Sequence, residues 1–254
     1  MKPLLKIENL KKHYFIKREI VRAVDDVSFS LEENEILGLV GESGSGKSTL
    51  ARTAIRLLEP TSGHIYFEGE DFCKLRGRKL REARQRVQMV FQDPLSSLNP
   101  RKTILDNIGE ALLYHKLVED RDQQIDVVEK IVEKIGMSKT ILDQYPHQFS
   151  GGQQQRISIG RAIAMEPKLI VCDEAVSALD LSVQAQILNL LYELKQRLKL
   201  SYLFISHDLN VVRFLCDRIL VMYGGKIVES KSANELFENP EHPYTKQLLA
   251  SIVN

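Results

Sequence analysis

The chain has 254 residues, 43% of them hydrophobic and 27% charged, with a formal net charge of +1; it can bury a full core as one large domain or two small ones. The near-balance of Lys and Arg against Asp and Glu argues against the basic stripe of a nucleic-acid binder, and no apolar run approaches the ~20 residues needed to span a bilayer. Cys73, Cys172 and Cys216 are far apart and odd in number, which argues against a disulfide framework or a cysteine metal site and fits a reducing cytosol. The six histidines show no zinc-ligand spacing. At the N-terminus, Lys6 and Glu8 break the apolar stretch after Met1, so no signal peptide is expected.

In chain order, Leu4–Leu10 and Val27–Leu31 carry partial alternation, and residues 63–69 form a short β segment bracketed by glycines. The run Glu35–Val40 has the pattern of a strand buried on both faces of a parallel sheet, and similar runs recur at Val87–Phe91, Leu169–Cys172 and Tyr202–Ile205. Ile104, Ile108 and Leu112, then Ile125, Val128, Val132 and Ile135, follow helical spacing with a polar break near Glu119–Asp122. Val183, Ile187, Leu190, Leu191, Leu194 and Leu198 form another apolar stripe. Strands alternating with helices imply a parallel α/β sheet, so the helical block reads as an inserted subdomain. There are no repeats and no low-complexity linker.

Residues 41–49, Gly-Glu-Ser-Gly-Ser-Gly-Lys-Ser-Thr, fit G-x-x-x-x-G-K-[ST], fed by a buried strand and continued by a predicted helix through Leu58. Gly41, Gly44 and Gly46 let the backbone, with Ser43 and Thr49, curl around an anion. The helix N-terminus adds roughly half a positive charge there. Lys47 supplies a cation for the β- and γ-phosphates and Ser48 a hydroxyl for Mg²⁺. The loop alone specifies only a nucleoside triphosphate, but no Asn-Lys-x-Asp guanine-reading motif is present. Asp173 and Glu174 close a predicted strand, the edge at which ligands bind in open parallel sheets. They suit Mg²⁺ holding and general-base activation of water respectively, although two acids at a strand end also serve simply as solvated termini. Gln92 after one strand can reach Mg²⁺ or the water through its amide. His207 after another can donate to a γ-phosphate oxygen; a lone histidine there is more often a cap.

Residues 149–156, Phe-Ser-Gly-Gly-Gln-Gln-Gln-Arg, open a helix of small and apolar residues. They make a second anion-facing helix N-terminus, with Ser150 as N-cap and Gly151 and Gly152 exposing N–H groups ahead of Gln153. The segment closely resembles the signature motif of ATP-binding cassette (ABC) ATPases. The order of motifs is similar throughout: Tyr14, the phosphate loop, Gln92, the signature, Asp173-Glu174, Ser177 to Asp180, then His207. Phe149 and Ala175 depart from the commonest spellings without removing a chemical group.

The resemblance implies a P-loop NTPase (RecA-like) α/β core with an N-terminal antiparallel β region. It implies one ABC ATPase domain over 1–254, with core residues 1–92 and 164–254 and a helical subdomain at about 93–163. It implies ATP and Mg²⁺ as cofactors, Tyr14 stacked on adenine, and catalysis by Lys47, Gln92, Glu174 and His207. Ser48, Gln92 and Asp173 would hold the metal. Ser150, Gly151, Gly152, Gln153 and Asp180 belong to the nucleotide site, the signature of one subunit capping the ATP held by the other.

Residues 90–100, 144–149 and 238–246 resemble peptide and nickel importers, and most of all the second ATPase subunit of oligopeptide and dipeptide permeases. That likeness implies a second, non-identical ATPase subunit, two transmembrane permease subunits, an extracytoplasmic substrate-binding protein, no nucleic acid, and a peripheral place on the cytoplasmic face of the cell membrane. Some members carry a cysteine-rich iron–sulfur extension after the segment matching 238–246; none is expected here, the sequence stopping at Asn254. Nickel or metallophore import is the rival cargo. Non-transport ABC ATPases are the rival class, but chromosome-type members carry a long coiled coil, translation factors carry two cassettes, and regulatory modules would lack Glu174 or His207.

Overall fold

The computed structural model describes residues 2–16 and 19–250; Met1 and Asn254, on which the readings of the two chain ends rest, lie outside the described residues. Two compact units are present, Met1–Arg84 with Ser201–Asn254, and Gln85–Leu200. In chain order the first unit begins with β1 (Leu5–Ile16), β2 (Glu19–Leu31), β3 (Ile36–Val40), α1 (Lys47–Ala54), β4 (Ser62–Phe67) and β5 (Glu70–Asp71), followed by α2 (Gly77–Gln85). The second unit holds β6 (Val87–Val90), α3 (Pro94–Ser97), α4 (Ile104–Tyr114), α5 (Arg121–Lys134), α6 (Gly151–Ile163), β7 (Leu169–Asp173) and α7 (Leu181–Leu198). The chain then returns to the first unit with β8 (Ser201–Ile205), α8 (Leu209–Leu215), β9 (Arg218–Tyr223), β10 (Lys226–Ser232), α9 (Ala233–Glu238) and α10 (Pro243–Ala250). Among the described residues no helix is long and apolar enough to cross a membrane.

The first unit contains an antiparallel sheet of order β2-β1-β4-β5. Beside it, β3 runs parallel to both β8 and β9, with Ile36 opposite Tyr202 and Leu37 opposite Arg218, and β10 returns antiparallel along β9. All five residues of β3 and all five of β8 are buried, which explains continuous apolar runs in place of alternation. In the second unit β6 and β7 pair in parallel from Val87–Leu169 to Val90–Cys172. Its helices start where the caps allow: Thr103 accepts from the Asp106 amide, and Asp120 from the Gln123 amide. Gly160 on α6 lets the backbone approach closely, since a Cβ there would sit 3.0 Å from Ile135 Cδ1. The expected antiparallel N-terminal sheet, parallel strands and block of helices are thus all present.

Three local readings change. The strand predicted to stop at Leu10 continues to Ile16, pairing with β2 as far as Glu19. Asn9 and Asp26 take φ values of 47° and 61° at an irregularity in the ladder, so alternation is broken in mid-strand and the outer half is invisible to a period-2 pattern. The helix predicted through Leu58 stops at Ala54. Arg56 turns left-handed at φ 53°, and its buried guanidinium donates to the Phe72 and Leu75 carbonyls at 2.6 and 3.0 Å. Finally, β9, β10, α9 and α10 lie beyond the last element read from the sequence.

Candidate functional site

In the first unit, β3 delivers the chain to Gly41 and α1 begins at Lys47. Gly41 and Gly46 have φ of 149° and 106°, and added Cβ atoms would meet Met222 O at 2.2 Å and Ala23 O at 2.0 Å. Only glycine fits either position. Gly44, also at positive φ, has open space around it, and Ser43 beside it is exposed. The N-cap of α1 is Gly46, with no side-chain cap and no acid in the first turn. The helix therefore directs its first-turn N–H groups and dipole toward the loop, where they favour an anion. Lys47 is 5% exposed, and its Nζ donates to Gly41 O at 2.7 Å and Glu42 O at 2.8 Å. Ser48 and Thr49 follow, half-buried. Tyr14 sits on the outer half of β1, half-buried, with Lys12 Nζ 5.1 Å from its ring centroid. His207 is exposed, two residues past the end of β8. The capping role there belongs to Asp208, whose carboxylate accepts from the Asn210 amide at 2.9 Å.

In the second unit, β7 ends at Asp173, which is 3% exposed. The preceding Cys172 thiol is pushed well up by burial and stays protonated. Glu174 then takes φ 51°, a left-handed backbone that costs a non-glycine residue on the order of 1 kcal/mol. Its carbonyl is fixed by the Ser177 amide at 3.1 Å and hydroxyl at 3.0 Å. Gln92 Nε2 donates to Glu174 Oε2 at 3.2 Å and to Ser177 Oγ at 3.3 Å. Gln92 and Glu174, 82 positions apart, are thus brought together on one hydroxyl, whose part in the cluster sequence reading missed.

The glycine-rich segment opens α6 through a capping box: Ser150 Oγ accepts from the Gln153 amide at 3.4 Å and Gln153 Oε1 from the Ser150 amide at 3.0 Å. Gln154 ties the helix to the loop before it, donating to Pro146 O and Phe149 O at 3.0 and 2.9 Å. The two glycines differ. A Cβ on Gly152 would be 2.3 Å from Val183 Cγ1, whereas one on Gly151 would meet only Leu179 Cδ2 at 3.6 Å. Packing within the chain therefore requires glycine at 152 and leaves room at 151. Asp180 is exposed and caps α7, accepting from the Val183 amide at 3.0 Å and the Ser182 hydroxyl at 2.8 Å. The Val183 amide first, then Ser182, hold its carboxyl below the usual range.

Ser48 in the first unit offers a hydroxyl, and Gln92 and Asp173 in the second an amide oxygen and a carboxylate; each is a hard oxygen donor of the kind Mg²⁺ takes. Among the described residues no cluster of three His, Cys, Asp or Glu could hold a metal by itself.

The family model described as ABC transporter matches residues 24–177. The chain is 51% identical over 250 residues to the oligopeptide transport ATP-binding protein OppF of Bacillus subtilis, spanning 98% of this chain and 82% of that protein. It is 49% identical over 257 residues to the oligopeptide transport ATP-binding protein AppF of the same organism, spanning 98% and 78%. Among solved structures it is similar to the dimeric post-hydrolysis state of the ATP-binding cassette MJ0796 bound to ADP and Pi. That match has a TM-score of 0.82 and 29% identity, covering 90% of this chain and 98% of that one.

Proposed function

This chain belongs to the ABC transporter family and is one of its ATPases, and from that premise we propose that it powers an oligopeptide importer. The observation carrying the cargo assignment is the 51% identity, across 98% of the chain, to an oligopeptide transport ATP-binding protein. The cassette itself has no cargo site in this reading; it works from the cytoplasmic face with a second, non-identical ATPase subunit, two membrane permease subunits and an external peptide-binding protein.

In the chemistry we assign, Tyr14 stacks on adenine and the amides from Ser43 to Thr49 cradle the phosphates. Lys47 leaves its loop carbonyls for the β- and γ-phosphate oxygens. Glu174 accepts the proton of the attacking water as the γ-phosphorus–oxygen bond to ADP breaks. The left-handed turn and the Gln92 amide fix the direction of that carboxylate. Gln92 senses whether a γ-phosphate is present, and His207 donates to that phosphate's oxygen. Ser48, Gln92 and Asp173 would hold Mg²⁺, which would supply neutralisation of the charge developing on the phosphate. Ser150, Gly151, Gly152 and Gln153, with Asp180 beyond them, complete the partner's nucleotide site, so hydrolysis requires two cassettes face to face.

Deleting this subunit and measuring uptake of labelled di- and oligopeptides alongside nickel tests the assignment. Lost peptide uptake with normal nickel uptake is expected. Unchanged peptide uptake with lost nickel uptake moves the chain to metal import and leaves the ATPase reading standing.

A further inference from the structure

The segment His242-Pro-Tyr-Thr245 sits in the first unit and reaches the phosphate loop. Its path is fixed by Glu229 on β10, which is 8% exposed and accepts the Glu241 amide at 2.8 Å and the His242 amide at 3.0 Å. His242 Nδ1 accepts the Tyr244 amide at 3.2 Å. The Tyr244 ring, 7% exposed, packs on Tyr223 with centroids 4.3 Å apart. Its phenol oxygen then accepts the backbone amide of Glu42 at 2.8 Å, across 202 residues of sequence.

Glu42 is the second residue of the phosphate loop, and its peptide groups are held from two directions. Its amide is donated to Tyr244, while its carbonyl accepts Lys47 Nζ. The Lys47 bond is lost whenever that ammonium turns to phosphate oxygens, whereas the Tyr244 bond makes no demand on Lys47. We propose that Tyr244 is a positioning residue for ATP binding, a phenol from the C-terminal segment that pins the entry of the phosphate loop in its nucleotide-holding shape. The inference rests on the phosphate loop's role proposed above. It gives the segment a task at the ATP site, where sequence likeness had marked it only as a trait of the importer branch.

Tyr244→Phe keeps the ring and its packing on Tyr223 and deletes only the oxygen. A backbone amide left without its partner weakens ATP affinity of the isolated full-length chain by about five- to twentyfold, on the usual worth of such a bond. Because the same bond is made without nucleotide, the nucleotide-free melting temperature falls by no more than about 2–4 °C, the shift that losing one such bond produces in a chain of this size. Equilibrium ATP binding, thermal melting and hydrogen exchange of the loop amides measure the three quantities, with Lys47→Ala as the control for the loop itself. Exchange at Glu42 is expected to be slow in the unmodified chain with and without ATP, and fast in Tyr244→Phe. Affinity within twofold of wild type, rapid exchange at Glu42 in the unmodified chain, or a larger fall in melting temperature that accounts for the lost binding each overturns the inference. If Lys47→Ala binds ATP normally, the phosphate-loop reading fails and this one goes with it. A Lys47 effect without a Tyr244 effect sinks only the inference.

Discussion

Replacing Gly151 by Asp separates what the chain needs from what a partner's nucleotide needs. Within the chain the new Cβ would stand 3.6 Å from Leu179 Cδ2, an ordinary contact, and the backbone there is not left-handed. The first turn of α6 has no acid, so a carboxylate at its start interacts favourably with the helix dipole by about 0.3–1 kcal/mol. Folding should be untouched or slightly strengthened. Against a partner's γ-phosphate the sign reverses: one unit charge about 4 Å from another, at an effective dielectric of about 20, costs about 4 kcal/mol. If relaxation removes half of that, the remaining ~2 kcal/mol still weakens pairing roughly thirtyfold at the one composite site that this chain's Gly151 completes. Melting and equilibrium ATP binding on the isolated subunit should match wild type, while ATPase activity of the assembled transporter should collapse. A large loss of ATP binding by the isolated subunit would put α6 beside the chain's own nucleotide and refute the shared-site reasoning. Full transporter activity would remove Gly151 from the site altogether.

Glu174→Gln preserves the size of the side chain and removes the proton acceptor, so steady-state hydrolysis should fall by about 10²–10⁴ while ATP affinity survives; turnover within threefold of wild type refutes the assignment. Glu229→Gln tests the anchor of the C-terminal segment through pH. Burial alone would raise this carboxyl, but the Thr245 hydroxyl beside it, the Glu241 and His242 amides and Lys231 outweigh burial and hold it below its ordinary 4.5. A depressed carboxyl stabilises the fold above its unfolded pKa and loses that contribution as pH falls through the folded one. Urea unfolding should therefore show the variant weaker by about 2 kcal/mol near neutrality, with the gap narrowing below about pH 4.5; a gap independent of pH contradicts the charge argument.

Features encoded by neighbouring residues were legible in the sequence. The phosphate loop needs three glycines, a lysine and a hydroxyl in nine consecutive positions, and the cap of α6 needs Ser150 and Gln153 only three apart. The polar break before α5 likewise coincides with the cap at Asp120. Features made by distant or irregular backbone were not. The register irregularity at Asn9 hid the half of β1 that carries Tyr14. The buried guanidinium of Arg56 ended α1 early, through carbonyls 16 and 19 residues away. Residues 219–222 of β9 are all buried, and a short apolar run without alternation looks the same whether it becomes strand or buried helix. The bond from Tyr244 to Glu42 leaves no local trace.

The order in which the first unit is written along the chain also matters while the protein is being made. Strand β3, five apolar residues with no charge, pairs on both sides with strands encoded after the 160 residues from Gly41 to Leu200. At about 5–20 residues per second of synthesis, the edge that β8 covers waits roughly 8–32 seconds and the edge that β9 covers waits longer. The second unit, one uninterrupted stretch, can close as soon as it emerges. Until its partners arrive, β3 exposes unpaired strand edges that can pair with another chain, and truncation before β9 leaves one of them open permanently.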